Sequence, residues 1–170
     1  MTRIQERVDG VSELDQVWGR RADYFHLFME DYNRSIQRID PILTELCRLR
    51  IAQLVESEFD SSLRYRPAGE AGLTDEKLSA LRDYPTSDLF SDRERAVLEF
   101  TEQFVIQSSS ISDDDCTRLQ EHVTVDEFIH LTKALSVMDQ FARANSAFRI
   151  EPSTDISPTL PDFSLAPTLN

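Results

Sequence analysis

The segment DPILTELCRLRIAQLVESEFDSSLR, residues 40–64, decides the reading of the whole chain. Asp40 followed by Pro41 is a helix start: an acceptor side chain at the N-cap, then a residue whose fixed φ and missing N–H suit the first helical position. Leu43, Cys47, Ile51 and Leu54 then recur at helical spacing, which predicts a helix over 42–55. Ser57 and Asp60 fit the S-x-x-D pattern of a second helix start, where hydroxyl and acid satisfy N–H groups of the first turn. At about 100° per residue, Gln53, Ser57, Asp60 and Arg64 share one stripe if the helix runs through. That polar stripe borders the apolar one. Such a border describes a pocket wall, and equally an ordinary surface boundary.

Helix signals continue in both directions, and strand signals do not. Ser12 precedes a helical pattern containing Leu14, Val17, Trp18, Tyr24, Phe25 and Phe28. Downstream, Arg66-Pro67-Ala68-Gly69 reads as the end of the helix opened at Ser57. Thr74, with Asp75 and Glu76 after it, starts a short helix that Pro85 breaks. Ser91 with Glu94 and Thr124 with Glu127 are further capping boxes, and Ser112 followed by three aspartates places negative charge at a helix N-terminus. The last of these helices runs to about Phe148. From Glu151 four prolines interrupt the pattern, so residues 151–170 read as an extended tail on a helical domain of residues 1–150.

Composition narrows the function. The 170 residues carry 31 acidic against 18 basic side chains, a net charge of −13, which repels phosphate backbones and argues against nucleic acid as a partner. No apolar run approaches the roughly 20 residues that span a bilayer. The N-terminal stretch lacks an apolar signal region, and the two cysteines, Cys47 and Cys116, form no close pair, so a cytoplasmic protein with reduced thiols is expected. His26, His122 and His130 are isolated, with no metal-ligand spacing, and no metal or cofactor is expected.

Several segments, in order, resemble the carboxymuconolactone decarboxylase family, which includes the alkylhydroperoxidase D-like proteins. They are Asp40-Pro41, the stretch from Glu45 to Leu54 with Ser57, Asp60 and Arg64, Ala71-Gly72-Leu73-Thr74-Asp75-Glu76, Leu89-Phe90-Ser91-Asp92-Arg93-Glu94, and Phe141 to Pro152. The resemblance covers about residues 14–152. It implies an all-α fold, a compact bundle of about six to seven helices, usually assembled into homo-oligomers such as dimers, trimers or hexamers. In the redox branch of the family it implies a Cys-x-x-Cys, a histidine four residues on, and a relay glutamate twelve residues before the first cysteine. Here Glu45 matches the glutamate, while Ser57, Asp60 and Arg64 stand at the two cysteine positions and the histidine position. Without those thiols, disulfide exchange at this place is excluded.

The candidate catalytic residues are therefore Glu45, Asp60 and Arg64. Asp60 or Glu45 would move protons, and Arg64, always protonated, would hold a carboxylate or carbonyl. Gln53, Ser57, His26 and Arg143 are candidate substrate contacts: the first two by their stripe, His26 by its aromatic surroundings, Arg143 by its match to a family arginine. The reading is a non-redox, cofactor-free enzyme acting on a small oxygenated organic acid or lactone by decarboxylation, isomerisation or a related proton transfer. The alternative is a non-catalytic small-molecule binder or oligomeric scaffold. Ser57 and Asp60 as a helix cap, and Asp60 with Arg64 as an i,i+4 ion pair, account for the same residues without chemistry.

Overall fold

A computed structural model describes residues 2–4 and 12–152, with the backbone of 165–167. The N-terminal helical pattern is interrupted: α1 (Glu13–Val17) passes through a 3-10 turn (Trp18–Arg21) into α2 (Ala22–Ile36). Then come α3 (Pro41–Leu54), α4 (Glu58–Ser62), β1 (Leu63–Tyr65), α5 (Arg66–Glu70), α6 (Asp75–Ser79), α7 (Asp92–Gln107), α8 (Asp113–Gln120), α9 (Val125–Phe148) and β2 (Leu165–Pro167). The expected all-α architecture holds, and the capping boxes at Ser91, Ser112 and Thr124 form with both reciprocal bonds.

Helix α3 is the axle of the bundle. Nine of its fourteen residues are buried, among them Thr44, Glu45 and Arg48, so it is enclosed on all sides rather than two-faced. Leu43, Cys47 and Ile51 join the main core with α2, α7 and α9, while Leu46 and Leu49 fill a second cluster with Leu81, Tyr84, Phe90 and Leu98. Phe141 of α9 anchors the main core. Its ring centroid lies between 5.8 and 6.4 Å from those of Trp18, Phe25, Phe28, Tyr32 and Phe59.

Three expectations need correction. The helix over 42–55 and the separate start at Ser57 both form, so the condition for a shared stripe from Gln53 through Arg64 is not met. Helix α3 closes at Val55, Glu56 takes a left-handed φ of 54°, and the Ser57 N–H turns back to the Ala52 carbonyl at 2.9 Å. This is a helix stop of the kind glycine usually makes, built here on a glutamate. Second, Arg66-Pro67-Ala68-Gly69 opens α5, with Pro67 in its first turn, instead of ending a helix. Third, short strands exist: β1 pairs antiparallel with β2, Arg64 opposite Ala166, so residues 165–167 of the tail lie against the body beside α4. Residues 153–164 and 168–170 of the expected extended tail lie outside the described residues.

Candidate functional site

The turn at Glu56 swings α4 across the flank of α3 and brings Asp60 near Glu45, fifteen residues earlier. Between them stands Arg48. Its Nε and Nη2 donate to the two carboxylate oxygens of Glu45 at 2.7 and 2.9 Å, a bidentate pair. The guanidinium also donates from Nη1 to the Asp60 carbonyl and from Nη2 to the Leu63 carbonyl, each at 2.6 Å. Arg48 thereby rivets α4 and β1 to α3. Glu45 and Arg48 are 1% and 2% exposed. Burial works against the arginine's charge, but the adjoining Glu45 carboxylate outweighs it and holds the guanidinium firmly protonated.

The Asp60 carboxylate faces the other way. Oδ2 accepts from Ser57 Oγ at 2.5 Å and from Asn145 Nδ2 at 3.0 Å, and Asn145 Oδ1 accepts from the Trp18 indole at 3.0 Å. Burial pushes the Asp60 carboxyl above its ordinary range, against the hydrogen bonds from Ser57 and Asn145 and the nearby Arg48. Burial likewise raises the Tyr32 phenol, which feels the charges of Arg48, Asp60 and Glu45. The result is a chain of polar groups that starts at the partly buried Trp18 and is otherwise buried: Trp18, Asn145, Asp60 and Ser57 on one side, Arg48 and Glu45 on the other.

Of the residues singled out from sequence, Glu45, Ser57 and Asp60 come together here. Arg64 does not pair with Asp60, because it sits on β1 rather than one turn along a helix. Its Nη1 donates to the carbonyls of Ser61 and Leu63, both at 2.8 Å, and partial burial holds its pKa below the usual arginine range. Gln53 accepts from Arg50 and, with Ser57, Ser61, Ser62 and Arg82, lines a broad surface depression of about 620 Å³. His26 is exposed on α2, outside the cluster. Arg143 pairs with Asp139 at 2.7 Å and donates to the Val105 carbonyl at 2.6 Å, a link from α9 to α7.

Arg48, Asn145, Trp18 and Tyr32 are the members that the sequence reading did not place in a site. For Arg48 the signal was present, a charged residue flush in an apolar run three positions after Glu45. Cys47 is buried, and desolvation pushes its thiol up to about 12, so it is no thiolate nucleophile. Among the described residues no three His, Cys, Asp or Glu side chains are grouped to hold a metal ion. Nor is any helix among them long and apolar enough to cross a membrane.

This helical architecture is that of the AhpD-like proteins. It superimposes on a protein of unknown function from Agrobacterium tumefaciens, described with AhpD-type antioxidant defence, with a TM-score of 0.74 and 18% identity, covering 91% of this chain and all of that one. A peroxidase-related protein with an AhpD core from Ralstonia eutropha gives a TM-score of 0.72 at 15% identity, covering 84% of this chain and 77% of that one. A variant of the debrominase Bmp8 in complex with 2,3,4-tribromopyrrole gives 0.65 at 16%, covering 79% of this chain and 73% of that one. In sequence, the chain is 32% identical over 136 residues to the uncharacterized protein YnjA of Escherichia coli, covering 78% of this chain and 75% of YnjA, and it belongs to the YnjA family. Uncharacterized YdfG of Bacillus subtilis is 24% identical over 120 residues, 70% of this chain and 81% of YdfG. No family model matches the chain.

Proposed function

We propose that this chain works by assembly rather than by turnover, as a non-redox, AhpD-like homo-oligomeric scaffold. One observation carries the reading. Glu45, Arg48 and Asp60 are each at most 3% exposed; Glu45 and Arg48 bond each other, Arg48 also holds two main-chain carbonyls, and the Asp60 carboxylate is taken by the Ser57 hydroxyl and the Asn145 amide. A general base must reach the proton that it removes, and an arginine anchor needs an open fork. Glu45 presents both oxygens to Arg48, and Arg48 gives two further donors to main-chain carbonyls. Groups that the family resemblance marks for chemistry serve here to lock α3, α4, β1 and α9 together. The test is a turnover screen of the purified protein with peroxides plus a dithiol reductant, and with lactones and oxygenated carboxylic acids. No substrate is consumed above the buffer rate in the expected result. Turnover that disappears in Asp60→Asn or Glu45→Gln overturns the reading.

A second reading is supported by one specific feature. The raised Asp60 carboxyl bonds Ser57, and Ser57 borders the depression that holds Gln53 and the exposed Arg82. A carboxyl shifted upward by burial suits proton transfer, and an arginine suits a carboxylate. This arrangement fits cofactor-free proton transfer on a small organic acid or lactone. Bmp8 held with tribromopyrrole is an AhpD-like fold with a small ring compound. Under this reading Asp60→Asn abolishes turnover while thermal stability is retained, and Arg82→Met raises KM with little change in kcat.

A further inference from the structure

We infer that the cleft where α3, α7 and α9 begin is a binding site for a short-chain monocarboxylate, held by Arg38 and Arg93. The cleft is a cavity of about 20 Å³ at the opposite end of α3 from the Ser57 depression. Leu43 in its wall and Gln53 in the depression stand ten positions apart on α3, about 15 Å along its axis. The walls are apolar: Leu43 of α3, Val97 of α7, Val123 before α9 and Leu131 within α9 are all buried. Two arginines border the same cavity, and each has donors to spare. Arg93 gives Nη2 to Glu127 Oε1 at 2.9 Å, while its Nε–H is shut off from solvent and has no hydrogen-bond partner. Arg38 is exposed, and its guanidinium makes no hydrogen bond or ion pair with any described residue. Arg93 belongs to the Leu89–Glu94 helix start, yet Ser91 and Glu94 complete the capping box there without it.

Charge and size select the ligand. Asp40 and Glu127 also border the cleft, but they serve their own helices. Asp40 Oδ1 accepts the N–H groups of Ile42 and Leu43, each at 3.0 Å, and Glu127 Oε2 accepts the Thr124 N–H at 2.8 Å. Two carboxylates thus balance two guanidinium groups, and the positive ends of helices of 14, 16 and 24 residues add to the cationic side. Within a chain of net charge −13, this cleft favours an anion. A buried N–H without a partner is costly, and an acceptor oxygen brought to Arg93 Nε relieves that cost. A carboxylate supplies two oxygens, one for Arg93 and one for Arg38, in the planar geometry that guanidinium groups match. The apolar walls take the alkyl group. A phosphate would press oxygens against Leu43 and Val97, where no donor meets them. The volume sets the length. About 20 Å³ exceeds what one water needs, and so admits a methyl or ethyl group rather than a ring or a longer chain. A bound acid would tie the beginnings of α3, α7 and α9 together, so occupancy stabilises the fold.

Titration of the full chain with sodium acetate, propionate and hexanoate, at ionic strength held constant with sodium chloride, tests this through the arginine side-chain NMR signals and thermal melting. Acetate and propionate are expected to move the Arg93 Nε–H signal along a saturable curve and to raise Tm along the same curve, with hexanoate at least tenfold weaker. Arg38→Met removes no side-chain bond to a described residue and is expected to fold like the wild type. Arg38→Met, and separately Arg93→Lys, which keeps the charge but loses the planar fork, are expected to weaken binding at least tenfold. Arg82→Met, beside the Ser57 depression, is expected to bind like the wild type, which separates this cleft from the proton-transfer reading above. Binding that survives both cleft variants, or that Arg82→Met abolishes, overturns the site. An equal response to neutral acetamide overturns the carboxylate, and hexanoate binding as tightly as acetate overturns the size limit. A response that never saturates reports bulk salt and overturns the inference.

Discussion

Two helix starts in this protein carry the same local motif and treat their acids in opposite ways. At the start of α7, Glu94 reaches back to the Ser91 N–H at 2.7 Å and takes the Lys77 ammonium at 2.6 Å. Burial works against that charge, but Lys77 and Ser91 outweigh it and hold the carboxyl below its usual range. At the start of α4, Asp60 is one methylene shorter, and the Ser57 N–H is already committed to Ala52. Its carboxylate accepts the Ser57 hydroxyl and the Asn145 amide instead. The nearby cation, Arg48, spends its bonds on Glu45 and on main-chain carbonyls, so Asp60 rises where Glu94 falls. A capping motif thus fixes where an acid sits. Whether the acid is charged depends on which neighbour delivers a donor.

The largest expected effect separates the two cations. Arg48→Met strands Glu45 in the interior and frees the carbonyls of Asp60 and Leu63, and should cost about 3–5 kcal/mol. Lys77→Met, at a partly exposed pair, should cost about 1 kcal/mol or less. Equal losses in chemical denaturation would erase the distinction. Next comes the amide relay. Asn145→Leu removes the acceptor of Trp18 Nε1 and one of the two donors to Asp60 Oδ2, and about 1–3 kcal/mol is expected for the orphaned indole N–H. Ser91→Ala, a cap alone, should lose about 1 kcal/mol.

The smallest effect is the most diagnostic, because its sign differs between the sites. Glu94, held below its ordinary value of 4.5, contributes stability that is present above that pH and is lost as acid carries the solution through its folded value. Asp60, raised above its ordinary value of 3.8, contributes stability that is present below that pH and is lost as pH rises through its folded value. Glu94→Gln should therefore flatten the acid limb of the stability–pH curve. Asp60→Asn should gain on the wild type as pH rises. Curves that move in the same direction would show that the two carboxyls share one state.

Much of the fold was legible because its determinants are local. Asp40-Pro41, Ser91 with Glu94 and Thr124 with Glu127 announce their helices by hydrogen-bonding chemistry that needs no tertiary partner. The candidate site was legible only in part. Glu45, Ser57 and Asp60 could be picked out, but their geometry hinges on Glu56, a non-glycine residue in a left-handed conformation that no composition signal marks. Missing that turn kept Gln53, Ser57, Asp60 and Arg64 on one imagined stripe and hid the approach of Arg48 to the Asp60 and Leu63 carbonyls. Asn145 is 85 residues from Asp60, a distance over which spacing says nothing. The pairing of β1 with β2 was missed for the same reason, since three-residue strands carry no readable alternation.

Trp18 is the single tryptophan of the chain, and its indole stacks on Phe25 with centroids 5.1 Å apart while its N–H bonds Asn145. One hydrogen bond further on lies Asp60. The chain's fluorophore is thus joined through one amide to a buried carboxyl. Emission from one native side chain, excited without any label, gives an optical readout of the buried acid during titration, denaturation and assembly alike.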